Sequence, residues 1–127
     1  MLKTDGIPMW VTIFALLVCL IGCALGLIAM IGQNLPGMDQ AMSISWGGRT
    51  LGLGLATGVA VFIKSPIAYI AVFVAGLGRE LGDLLGELSK SEPNFGVVVF
   101  IGLFMIAGLV GIISANKARN LQVAGSA

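Results

Sequence analysis

The sequence has no histidine, two cysteines, one tyrosine and four prolines in 127 residues. Without histidine, imidazole acid–base chemistry and His-ligated metal sites are excluded. Charge is scarce as well: seven Lys and Arg stand against six Asp and Glu, a net charge of +1. The cations are scattered rather than clustered, so nothing forms a basic patch and nucleic-acid binding has no support. Cys19 and Cys23 are one helical turn apart inside an apolar run. A redox pair is more often C-x-x-C beside a water-accessible loop, and the plain reading is two small packing residues. Leu20-Ile21-Gly22-Cys23 has the form of a lipoprotein cleavage box, with Lys3 as a weak positive flank. Asp5 offsets Lys3, however, and the apolar run continues for eight residues past Cys23, so the segment reads as a spanning helix.

What the chain has in quantity is apolar residues: 57% are hydrophobic and the mean hydropathy is +1.03, values that mark an integral membrane protein. Crossing ~30 Å of hydrocarbon takes about 20 apolar residues in a helix. Four such runs occur, at about residues 9–31, 46–63, 66–85 and 97–115. Between them lie QNLPGMDQ, the dipeptide Lys64-Ser65, and SKSEPN with Pro93 and Asn94 as breakers. Pro66 suits the first turn of the third helix, where its missing N–H is no loss, and the pattern predicts a tight antiparallel hairpin of helices two and three. The expected fold is an all-α membrane protein: one domain over residues 1–127, a four-transmembrane-helix bundle with both termini on the same side.

Lys3, Lys64, Lys117 and Arg119 fall on the side of the termini, opposed only by Asp5. The other side has Arg49, Arg79 and Lys90 with Asp39, Glu80, Asp83, Glu87 and Glu92. Arg49 and Arg79 sit inside helices rather than loops, so the positive-inside rule puts both termini in the cytoplasm. Trp10 and Trp46 fall at opposite membrane depths and suit the interfacial aromatic belts.

The stretch GLGRELGDLLGEL, residues 76–88, places Arg79, Glu80, Asp83 and Glu87 directly after the apolar PIAYIAVFVA. Arg49 lies 15 residues before Lys64 and Glu80 lies 15 after Ser65, so a hairpin turning there makes them level. At ~1.5 Å per residue both stand roughly 22 Å from the turn. Arg79 and Asp83, four apart, can pair along the helix. Arg49, Arg79, Glu80 and Asp83 are thus expected to form a self-neutralising cluster, either a structural ion network or a ligand site. Glu87, Lys90 and Glu92 read as a solvated helix end and loop, and Gln33, Asn34 and Asp39 as turn or capping residues.

Small residues recur at helical spacing. Gly22 and Gly26 mark helix one; Gly48, Gly52, Ala56 and Ala60, with Gly54 and Gly58, mark helix two. Helix three has Gly78, Gly82 and Gly86, and Ala68, Ala71 and Ala75 on the same side. Such spacing lets helix backbones approach closely, which predicts a compact bundle.

The segments WGGRTLGLGLATGVAVF and AGLGRELGDLLGEL resemble the middle hairpin of small bacterial four-helix membrane proteins in the DoxX-like grouping. The similarity covers about residues 46–87, roughly a third of the chain, through a Gly-Arg-x-Leu-x-Leu-Gly opening and an Arg-x-x-Gly-Asp close. It implies a four-helix fold with both termini on one side of a bacterial cytoplasmic (inner) membrane. Some members are named as quinone-linked oxidoreductase subunits; the absence of His and of C-x-x-C here speaks against a redox role.

The expected function is that of an accessory or assembly subunit in a membrane complex or homo-oligomer, without catalysis, cofactor or metal of its own. The rival expectation is a binding or enzymatic site for a small amphiphile (a quinone, lipid or terpenoid). There Glu80 or Asp83 would be the acid–base or hydrogen-bonding group, and Arg49 and Arg79 would tune it or hold an anionic head. Ion or proton transport fits less well, because the ionisable groups are not spread along a path.

Overall fold

The structure, a computed structural model, describes residues 6–32 and 37–125. Its elements are four α-helices: α1 (Met9–Met30), α2 (Gln40–Ile63), α3 (Pro66–Leu88) and α4 (Phe95–Gly125). Lys3, Asp5, Gln33 and Asn34, which entered the sequence reading, lie outside the described residues. Among the described residues three helices, α1, α2 and α4, are long and apolar enough to cross a membrane. The helix α3 does not meet that standard, because Arg79, Glu80, Asp83 and Glu87 interrupt its second half.

Two helix boundaries differ notably from the apolar pattern. The second helix begins at Gln40 rather than at residue 46, because Asp39 caps it: the carboxylate accepts the Met42 N–H at 2.7 Å. That side-chain acceptor satisfies one of the donors a helix start leaves open, so the polar turn Gln40-Ala41-Met42-Ser43 is helical although it is not hydrophobic. The fourth helix runs to Gly125 rather than stopping near residue 115. Residues 116–123, NKARNLQV, contain no Gly or Pro to end it, and good helix formers carry it past the apolar run.

The chain divides into two compact units. The first, Met9–Lys64, is the antiparallel pair of α1 and α2. Its seam is made of small residues, with Gly22 against Gly54, Gly26 against Gly47 and Leu51, and Cys19 against Gly58. Ser43, Gly47, Thr50, Gly54, Thr57 and Ala60 form the buried stripe of α2 at three- and four-residue steps. Its hydroxyls are satisfied locally: Thr50 and Thr57 donate to the carbonyls of Trp46 and Leu53, at 2.8 and 2.7 Å, and Ser43 donates across the seam to the Ala29 carbonyl at 3.4 Å. In lipid a bare hydroxyl at a helix contact is costly, and back-bonding to the preceding turn lets Thr serve there as a small residue.

The second unit has α3 and α4 at its centre, with residues 6–8 joined to them. Here one helix brings large side chains and the other brings space. Tyr69 is fully buried; the Phe73 ring lies over Gly111, and Leu77 lies over Gly108. The pairing of residue 73 with 111 and 77 with 108 makes α3 and α4 antiparallel. Ile7 is buried, and Gly6, at φ +80°, rests beside Ala118 of α4. The close approaches shown for α2 are to α1 and those for α3 are to α4.

The connection from α2 to α3 is as short as the sequence indicated. At the end of α2, Lys64 adopts the left-handed conformation (φ 57°, ψ 25°) and its N–H reaches the Ala60 carbonyl at 3.0 Å. Ser65 and Pro66 then open α3, with Pro at the first turn and the Tyr69 N–H on the Ser65 carbonyl at 3.1 Å.

Large apolar side chains cover the outside. Leu20, Phe62, Phe95, Leu103 and Ile113 are each more than half exposed. A water-soluble protein of this size would bury such residues, whereas lipid solvates them. The chain therefore has the surface of an integral membrane protein.

Candidate functional site

The sequence singled out four charges, and three of them lie on α3. The Arg79 guanidinium touches both acidic neighbours: Nη1 is 3.7 Å from Glu80 Oε1, and Nη2 is 3.5 Å from Asp83 Oδ2. All three side chains are largely buried, and the triad carries two carboxylates against one guanidinium. Both separations exceed a good charge-assisted hydrogen bond, so these are ion contacts rather than a bidentate clamp. Arg49, the fourth, belongs to the first unit, where it is exposed on α2 next to Gly48.

The depth of the triad follows from the packing of α3 on α4. Continuing the register set by Phe73 on Gly111 and Leu77 on Gly108 brings Glu80 level with about residues 104–105 of α4 and Asp83 level with about 101–102. Residues 95–115 of α4 contain no charged side chain. The triad thus stands beside an apolar span, roughly 6 to 12 Å in from Glu87 at ~1.5 Å per residue. An ion cluster held there is expensive unless its members neutralise one another, and Arg79 does this for one of the two acids.

Glu87 contradicts its reading as a solvated helix end. It lies past the apolar run of residues 66–85, yet only 8% of its surface is exposed. One carboxylate oxygen accepts the Lys90 ammonium at 2.6 Å and the other accepts the Asn94 N–H at 2.8 Å. Asn94 in turn starts α4, its side-chain oxygen accepting the N–H groups of Gly96 and Val97 at 3.0 and 3.3 Å. The Ser89 hydroxyl bonds the Gly86 carbonyl at 2.8 Å and completes the turn. The Lys90 hydrogen bond, and after it that from Asn94, holds the Glu87 carboxyl below the usual carboxylate range. Lys90 and Glu92 do remain exposed.

The glycines fall into two groups. A Cβ at Gly26 would stand 2.6 Å from Leu51 N and 2.8 Å from the Gly47 carbonyl oxygen; at Gly54 it would stand 2.9 Å from Cys23 N, and at Gly22 3.3 Å from Gly54 Cα. At Gly58 it would meet the Cys19 sulfur at 2.9 Å. Cys19 and Cys23 are free thiols that fill the space beside Gly58 and Gly54. In contrast, a Cβ at Gly48, Gly52, Gly78, Gly82 or Gly86 would meet nothing of its own helix pair within 4 Å. The contact glycines that the sequence reading did not single out are Gly47, Gly108 and Gly111. The signal for the last two was present, since Gly108, Gly111, Ala115 and Ala118 step by three and four along α4 and all are buried.

Among the described residues no group of three or more His, Cys, Asp or Glu could hold a metal ion. No protein-family model matches the chain, and no solved structure matches it.

Proposed function

We propose that the chain is a four-span protein of a bacterial inner membrane, with both termini cytoplasmic, that serves as an accessory or assembly subunit in a membrane complex or homo-oligomer and performs no catalysis itself. The observation that carries this reading is the contrast between its glycines. Those at the two helix seams are used to bring backbones together, whereas Gly48 and Gly52 on α2, and Gly78, Gly82 and Gly86 on α3, present the same four-residue spacing to nothing in their own pair. Surfaces of this kind suit close packing against a further helix. Lipid contacts account for the large apolar side chains, but they give no reason for a smooth glycine face.

Two observations support the topology. The register of α3 on α4 carries α3 alongside a charge-free span, which favours α3 as the fourth crossing despite its charges. Gly6 lies beside Ala118, near Lys117 and Arg119, which supports having both termini on one side, and the positive-inside rule favours the cytoplasm for that side. The resemblance of residues 46–87 to the DoxX-like grouping points to the same bundle.

The largely buried triad favours a second reading, in which Glu80 or Asp83 hydrogen-bonds a small amphiphile. Native mass spectrometry of protein released gently from its own membrane separates the two. Additional protein mass, from copies of the chain or another subunit, is the expected result. A monomer carrying one defined small molecule, lost in Glu80→Gln, would overturn the assembly reading.

A further inference from the structure

We draw no further inference here: the strongest candidate, the small-residue face of α3 at Gly78, Gly82 and Gly86 with the Arg79–Asp83 pair on its flank, already carries the reading above, and nothing in the structure shows what covers it.

Discussion

The seam between α1 and α2 makes a graded prediction about adding one methyl group. In Gly26→Ala the new Cβ would lie 2.6 Å from the backbone nitrogen of Leu51, whereas ordinary contact begins at 3.4 Å. The opposing atoms are helical backbone, so no rotamer change relieves the clash and α2 must retreat by about 0.8 Å, the difference between those distances. A gap of ~0.5–1 Å forfeits roughly a quarter to a half of the attraction at each contact it opens. Overpacking of this kind costs about 1–3 kcal/mol, and a rigid backbone obstacle belongs at the upper end. Alanine also favours a helix over glycine by ~0.8–1.0 kcal/mol, which would obscure the effect in a single variant. Gly48→Ala supplies the control at dilutions where each micelle holds one chain and the outward face has no partner, because its Cβ meets nothing of the chain within 4 Å and the propensity gain is common to both. The expected result is that Gly26→Ala is ~2–3 kcal/mol less stable than Gly48→Ala, with Gly22→Ala, at 3.3 Å, between them. Reversible unfolding of the full chain in mixed micelles, followed by circular dichroism, measures the order. Equal stability of the Gly26 and Gly48 variants would refute the close seam.

At the other seam, Gly111→Ala should destabilise less than Gly26→Ala in the same assay, because the obstructing atoms belong to the Phe73 ring, which can turn aside. Asp39→Ala removes the cap of α2 and should cost about 1 kcal/mol; faster hydrogen exchange at the Met42 amide, with Lys64 unchanged, is the signature. Glu87 has a folded pKa below its ordinary value, so its contribution is complete above the unfolded carboxylate range near pH 4.5 and fades as pH falls through the lower folded value. Protection of the Asn94 amide should therefore decline in that acidic window, whereas Glu87→Gln should start lower and show no such decline; parallel curves would disprove the turn's dependence on the carboxylate.

Much of the fold was legible because hydropathy reports lipid exposure directly. The runs at residues 9–31 and 66–85 nearly coincide with α1 and α3, and Pro66 fixed where α3 begins. Hydropathy is blind, however, to helix that lies outside the hydrocarbon. It missed the capped turn after Asp39 and the stretch beyond residue 115, both of which are set by capping and propensity. The seams were half legible: small-residue spacing identified Gly22, Gly26, Gly54 and Gly58, but it chose Gly48 over the adjacent Gly47, which points about 100° away on the helix. Gly47 is the one that meets α1. Glu87 was half legible: Lys90 lies three residues on, within reach along a helix, but the second partner is a backbone N–H seven residues away, and an amide donor has no signature in the side-chain sequence. The Arg79 triad was the most readable feature of the site, since an i,i+4 ion pair follows from helix geometry alone.

The glycine seam also has a bearing on how the chain is made. Its glycine contacts lie between Cys19 and Gly58, so everything required to make them is synthesised, and leaves the ribosome, ahead of α3. The first hairpin can thus begin to close before α3, the helix least suited to lipid, has fully emerged from the ribosome. On the proposed four-span topology its charges then enter a membrane where α1 and α2 no longer compete for partners. A chain with the two halves exchanged in order would present Arg79, Glu80 and Asp83 to the insertion machinery first, with no completed helix pair beside them.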